Sequence, residues 1–422
     1  MIREISRRKC LRLWLCKPEY MERAKWENRF VLLRFRKKNY MMFLKDLKRF
    51  KMERLYDKLK AYSESDFYAF HMPGHKRNKA LLGIELPYDL DITEIDGFDD
   101  LHHADGILKE EQERAARVFG AEESHFLVNG STVGILSAIA GVTNKGDQIL
   151  VARNCHKSVY HAIYMNGLVP RYVYPEFDIS MHMNGEISKE DVAKALAAEP
   201  DIKAVVIVSP NYDGVVSDVK GIAEVAHSYR IPLIVDEAHG PHFGFHPAFP
   251  GRANDLGADV VINSLHKTLP SLTQTAILHI NGKIVNRRRI KKYLDMLQSS
   301  SPSYIFMASL DACVDFVDGK CENAFELYVE RLQKFREELK PLQHLQILRT
   351  EHYDISKVVI STANANITSP ELADRLRKEY HLEMEMTGGT YVLAMTTVAD
   401  TQEGLDRLKA ALLEIDGQLE AK

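Results

Sequence analysis

The sequence predicts an α/β fold, a mostly parallel sheet sandwiched by helices, with a smaller α+β segment at the C-terminal end. Three observations carry this. Short apolar runs alternate with helical patterns between about residues 124 and 280, the connections between them are short, and ligand-holding residue types stand just after several of the apolar runs. Such alternation builds parallel strands covered on both faces, and ligands in these sheets sit beyond the carboxyl ends of the strands.

Taken in order, Leu55–Tyr62 reads as a short helix. Pro73 and Gly74 in His71–Lys76, and the acidic loop Asp89–Asp100, disfavour a regular element before residue 105. Ile107–Phe119 has apolar positions at helical spacing and stops at Gly120. Ser124–Val128 is a predicted strand, Thr132–Ala140 a helix, Gln148–Ala152 a strand, His156–Met165 a helix and Leu168–Tyr174 a strand. Helix Lys189–Ala198, strand Ala204–Ser209, helix Val219–Ser228 and strands Pro232–Val235, Asp259–Asn263 and Thr275–Ile280 follow. Helical patterns at Met307–Val317 and Asn323–Leu339 lead into the last segment, whose final helix is Gln402–Ile415. The expected division is a basic N-terminal extension at 1–51, an N-terminal segment at 52–105, a ligand-binding major domain at 106–315 and a small, short α+β domain at 316–422.

Composition excludes several classes. With 422 residues, 45% hydrophobic and 27% charged, the chain has the make-up of a globular protein able to bury a large core. No apolar run reaches the roughly 18–20 residues of a membrane span, and Leu11–Cys16 is too short and too Arg-flanked for a signal peptide, so a cytoplasmic protein without a membrane partner is expected. Five cysteines without a CxxC spacing argue against a disulfide framework or a zinc ribbon, and Cys155 beside His156 reads as a buried thiol. Residues 1–51 hold 17 Lys/Arg against 5 Asp/Glu, whereas residues 52–422 hold 39 against 54. The acidic body argues against a nucleic-acid partner. The basic block reads as a nucleic-acid or membrane-surface arm, a targeting segment, or, most plainly, an upstream extension ahead of the alternative starts Met41, Met42 and Met52.

The chemistry centres on two strand ends. Lys267, in Asn263–Thr268, follows one apolar run, and Asp236 ends another thirty-one residues earlier. An amine there can condense with an aldehyde cofactor, and a carboxylate on a neighbouring strand can keep a pyridine nitrogen protonated, which together point to pyridoxal phosphate (PLP). Asn129-Gly130-Ser131-Thr132, between a strand and a helix, offers backbone N–H groups, the helix dipole and two hydroxyls to a phosphate, although Gly-Ser-Thr also serves as an ordinary helix cap and no Walker lysine is present. Ser264 and His266 flank Lys267 as further donors. Asp236, Glu237, His239 and His242 are also potential metal ligands, but there is no HExxH helix and Pro241 breaks any helical pairing, so no metal is expected.

These stretches together resemble the bacterial ornithine/lysine/arginine decarboxylases, PLP-dependent enzymes of the aspartate-aminotransferase-like fold (fold type I). The matching segments are His71–Lys76, Asp91–Leu101, Asn129–Thr132, Arg153–Ser158, Ser209–Gly214, Asp236–Gly240, Ser264–Thr268 and Gln298–Tyr304, covering about residues 55–315 in order. The resemblance implies a PLP-dependent carboxy-lyase acting on arginine, lysine or ornithine to give a polyamine-type amine. Lys267 would carry the cofactor and Asp236 would partner its ring nitrogen. His156 would stack on the ring, His239 would lie near the reacting carbon, and Asn129, Gly130, Ser131, Thr132, Ser264 and His266 would hold the phosphate. Ser299 and Ser300 would reach the cofactor of a neighbouring subunit in a homodimer or larger homo-oligomer. Glu94, Asp96 and Asp99, in the acidic loop, are candidates for the distal cation of the substrate.

Members of that family continue past a segment like Thr387–Leu412 into a C-terminal piece with a Pro-Gly-Ile-Pro-type motif, and this sequence ends at Lys422 without it. Two other outcomes therefore stand beside decarboxylation: a PLP enzyme of the same fold doing transamination or aldol cleavage, and a cofactor-binding protein of weak activity.

Overall fold

The computed structural model describes residues 53–421 apart from 82, 180, 181, 350 and 351. The basic block 1–51 lies outside the described residues. From Arg54 onward the chain forms one unit. Its elements are α1 (Leu55–Ser63), α2 (Ile107–Val118), β1 (Glu123–Leu127), α3 (Gly130–Val142), β2 (Gln148–Ala152), α4 (Lys157–Asn166), β3 (Val169–Val173), β4 (Phe177–Asp178), β5 (Met183–Asn184), α5 (Lys189–Ala198), β6 (Ile202–Val208) and α6 (Val219–Ser228). They continue with β7 (Leu233–Asp236), β8 (Val260–Asn263), α7 (Leu265–Thr268), β9 (Ala276–Ile280), α8 (Arg287–Leu297), α9 (Tyr304–Val317) and α10 (Glu322–Glu338). The last are β10 (Gln346–Leu348), β11 (Lys357–Ser361), α11 (Ser369–Tyr380), β12 (Met386–Thr387), β13 (Tyr391–Met395) and α12 (Gln402–Asp416).

Seven strands form one sheet in the order β1-β9-β8-β7-β6-β2-β3. Neighbours from β8 to β3 run parallel, while β9 is antiparallel to both β8 and β1. Every residue of β7 and β8 is buried, which is why these strands read as unbroken apolar runs rather than alternating ones. Asp236, the last residue of β7, pairs in register with Val208 of β6 and Ile262 of β8, so the loops after these strands open on one edge.

Helix α3 crosses the sheet closely. A Cβ on Gly141 would lie 2.9 Å from the Cα of Ile290 in α8, so the two helices meet through a missing side chain. Ile290 and Leu294 are the buried residues of α8, and with Tyr293 and Leu297 they form an apolar stripe at helical spacing, although no element was expected over these residues.

A second, antiparallel sheet, β10-β11-β13-β12, packs its apolar residues with those of α10, α11 and α12 around Val358, Ile360, Leu372, Val392 and Leu412. It meets the loop after β6 through backbone bonds: Val216 donates to His352 O at 3.1 Å and Asp354 donates to Gly214 O at 2.8 Å. The first residue of β11, Lys357, is thereby set against the strand ends of the large sheet.

Candidate active site

Asp236 is 3% exposed and accepts one hydrogen bond, from Ala238 N to Oδ1 at 3.2 Å. Burial raises its pKa to about 6, against the pull of the Lys267 charge and the Ala238 N–H. A buried carboxylate with an unused oxygen is suited to a cationic N–H donor.

Lys267 lies not at a strand end proper but in the single turn α7 that follows β8. Its Nζ is 3.1 Å from His239 Nε2. Burial depresses the ammonium, while Asp236 and Glu385 act in the opposite direction. His239 is 6% exposed; burial, then the charges of Lys357 and Lys267, hold its imidazolium well below the ordinary range. When Lys267 donates to Nε2, the neutral ring carries its proton on Nδ1, a buried atom with no partner among the described residues.

The predicted phosphate cup forms the first turn of α3, which begins at Gly130, two residues earlier than the sequence pattern indicated. Asn129 does not cap this helix: its Oδ1 accepts from Ser299 N at 3.0 Å, and no side chain takes the N–H groups at the helix start. Gly130, at φ +75, donates to Gln274 O at 2.9 Å, and the next residue, Thr275, receives His266 Nδ1 on its carbonyl at 2.8 Å. The cup and the lysine turn are thus tied to adjacent residues ahead of β9. Because Thr275 O only accepts, His266 donates from Nδ1, and its Nε2 can donate to an anion only as the imidazolium. Burial, then Lys267, lowers that imidazolium's pKa, while the bond to Thr275 raises it. Ser264 is fully buried with its hydroxyl unpartnered.

His156 is the N-cap of α4, its Nδ1 accepting from Ser158 N at 3.3 Å and lying 2.8 Å from Ser158 Oγ, which fixes the ring plane. Ser299 and Ser300 are exposed, and Ser299 O lies 2.8 Å from His102 Nε2.

In the acidic loop, Asp99 is engaged by the backbone. Its two oxygens accept from Asp100, Asp105, Gly106, Leu108 and Lys109 N–H groups at 2.8–3.4 Å, more donors than a carboxylate has lone-pair sites. Glu94 has one buried oxygen without a partner, and Asp96 is exposed.

The neighbouring potential metal ligands take separate partners. Glu237 accepts from Asn263 Nδ2 and Ala253 N, and burial pushes its carboxyl up to about 8. His242 bridges Thr268 Oγ1 at 3.0 Å and Asp354 Oδ1 at 3.1 Å.

Three further site residues are assigned no role from sequence, although one of them, Tyr212, lies in the family-like segment Ser209–Gly214. The Tyr212 ring lies 4.8 Å from that of His239, and its hydroxyl donates to Glu385, a carboxylate from just before β12 whose charge reaches Lys267. Lys357 is fully buried nearby. Only the docking of the second sheet brings Glu385 and Lys357 to this edge.

The donor set fits PLP: an uncapped helix start and an unpartnered Ser264 hydroxyl for a phosphate, a buried carboxylate with a spare oxygen for a pyridine N–H, an amine for an aldehyde, and an orphan His239 Nδ1–H for a ring oxygen.

Comparison with known proteins matches residues 53–371 to the family model "Orn/Lys/Arg decarboxylase, major domain". The chain is 34% identical over 380 residues to an arginine decarboxylase of Bacillus subtilis (strain 168), spanning 86% of this chain and 77% of that protein. It is 44% identical over 269 residues to the uncharacterized protein YaaO of the same organism, spanning 62% of this chain and 56% of that one. Among solved structures, the lysine decarboxylase LdcF of Francisella novicida superposes with a TM-score of 0.76 at 20% identity, covering 90% of this chain and 62% of that one; this likeness concerns the fold alone. The chain therefore spans about three quarters of the arginine decarboxylase and under two thirds of the lysine decarboxylase.

Proposed function

Since the chain belongs to the Orn/Lys/Arg decarboxylase family of PLP-dependent carboxy-lyases, with their fold type I architecture, we propose that it decarboxylates a basic amino acid, arginine, lysine or ornithine, to CO2 and the corresponding polyamine-type amine. The observation that carries this is the contact of Lys267 Nζ with His239 Nε2 at 3.1 Å in a cluster with buried Asp236.

When bound, PLP supplies an aldehyde that takes the substrate amine and a conjugated ring that accepts the electron pair freed when the bond from Cα to the carboxylate breaks. Lys267 would hold that aldehyde between turnovers. Asp236 would keep the ring nitrogen protonated, and the low-polarity setting that raises its pKa would be answered by that cation. His156, fixed by Ser158, would cover the ring face. Ser131, Thr132 and Ser264, with the N–H groups of Ser131 and Thr132 and imidazolium His266, would hold the phosphate. After CO2 leaves, Lys267 would return a proton to Cα, and its hydrogen bond to His239 gives that proton a second site.

The substrate class rests on Glu385. From Lys267 through His239 and Tyr212 the contacts lead outward to this exposed carboxylate, which would receive the distal ammonium or guanidinium, in preference to the backbone-engaged Asp99. Ser299 and Ser300, exposed beside Asn129, would contact a partner subunit's cofactor in a cytoplasmic homodimer or larger assembly. The test is a panel of arginine, lysine and ornithine offered to PLP-loaded protein, with CO2 and amine both measured. Release from at least one is expected; a loaded protein that releases neither product from any of them contradicts the proposal.

A further inference from the structure

Lys357 opens β11 and is fully buried, yet among the described residues its Nζ makes no hydrogen bond. Among the described residues its ion-pair partner is Asp354, with Oδ2 4.0 Å away. That carboxylate serves other donors at hydrogen-bond distance: Ser356 N, Ser356 Oγ and His242 Nε2 bond to it at 2.9, 2.7 and 3.1 Å, while Lys357 Nζ stays outside that distance. A protein does not ordinarily bury an amine and leave it without an acceptor, so the group calls for an anion from outside the chain.

Its position says which anion. The Lys357 side chain lies over Gly214, where a Cβ would meet its Cγ at 2.7 Å and where φ is +99, so both space and backbone conformation require glycine. Gly214 closes the turn that carries Tyr212, and Tyr212 faces His239. The Lys357 charge acts on His239, and the Lys357 ammonium in turn feels the charges of Asp354, Lys267 and Glu385, in that order. The phosphate already has its own donors at the start of α3 and at Ser264, on the side tied to Gln274 and Thr275. A basic amino acid brings a distal cation, for which Glu385 stands ready, and one further anionic group.

We propose that Lys357 is the receptor for the α-carboxylate of the substrate, an assignment that rests on the decarboxylase reading above. Burial lowers the pKa of its ammonium, and a bound carboxylate restores it, so the ion pair forms only in the substrate complex. When CO2 departs the ammonium is left with Asp354 alone, 4.0 Å away, and the product amine has no hold on this residue. Lys357 therefore distinguishes substrate from product.

The test compares Lys357→Met with the unaltered protein, both PLP-loaded, by titrating the visible absorbance of the cofactor with an amino acid and, separately, with its decarboxylated amine. Loss of a charge-assisted hydrogen bond should weaken the amino acid by about 10- to 100-fold and leave the amine unchanged. Equal weakening of both, or of neither, overturns the assignment. A second measurement needs no variant: the unaltered protein should bind the amino acid more tightly than its α-carboxamide by a similar factor, and equal affinity for the two also overturns it. The amino-acid titration is read by rapid mixing, before the first turnover, so failure of the decarboxylase reading would show separately, as binding without later CO2 release.

Discussion

Lys267 Nζ and His239 Nε2, 3.1 Å apart, join the turn after β8 to the loop after β7. Both groups are held away from water, and burial weakens the charged form of each. An amine in that state is more often neutral, and hence nucleophilic, than a lysine on the surface.

Asp236→Asn should act in opposite directions with and without cofactor. A carboxyl whose pKa is raised to about 6 in the fold binds its proton more tightly folded than unfolded, so its contribution falls as pH rises from about 4 to about 6, and the full penalty is present at neutral pH. About two units correspond to about 3 kcal/mol as an upper bound. Denaturant unfolding at neutral pH should find cofactor-free Asp236→Asn more stable than the parent, while the loaded variant turns over far more slowly. A less stable cofactor-free variant would remove the argument from desolvation.

Ser264→Ala removes a buried hydroxyl that has no partner among the described residues. No internal bond is lost, so cofactor-free stability should hold or rise slightly. PLP affinity, read by equilibrium dialysis, should fall by about tenfold, the worth of one hydrogen bond to a charged group.

The Asp354–His242 link joins the second sheet to the site. Burial pushes the Asp354 carboxyl up, but His242, Lys357 and Ser356 prevail and hold it at about 2. A depressed carboxyl stabilises the fold fully above about pH 4 and ceases to do so as pH falls through about 2, a contribution of about 2 kcal/mol. Unfolding free energies measured between pH 5 and pH 3 should decline, and Asp354→Asn should be less stable at pH 5 and lack that part of the decline. An unchanged acid profile in the variant would contradict this.

Glu385→Gln should raise KM for the preferred basic amino acid by about tenfold with little change in melting temperature, because the side chain is exposed and its loss leaves the core untouched. Tyr212→Phe, which removes only the hydroxyl that orients Glu385, should do so by less. A Glu385→Gln protein with unaltered KM would remove Glu385 from the substrate site.

The sequence was most legible where one residue's environment is set by its own strand. Asp236, His239 and Lys267 follow apolar runs, and the sheet carries them to one edge. Helix α8 was legible but not expected: Ile290, Tyr293, Leu294 and Leu297 repeat at helical spacing opposite Arg288, Arg289, Lys291 and Lys292. The two-residue strands β4 and β5 are too short to show a period, and the antiparallel direction of β9 leaves no trace in composition. The acidic loop looked like a cation site, yet Asp99 serves the start of α2. Glu385 and Lys357 stand about 90 to 120 residues from Lys267 in a different sheet, and only tertiary packing reveals them.

The central claim is tested most directly by giving the PLP-loaded protein an amino acid labelled in its carboxyl carbon, in deuterated water. The label should leave entirely as CO2, and the product amine should carry a single deuterium on the former Cα. Label retained in an organic product, a keto acid or an aldol fragment in particular, would contradict it.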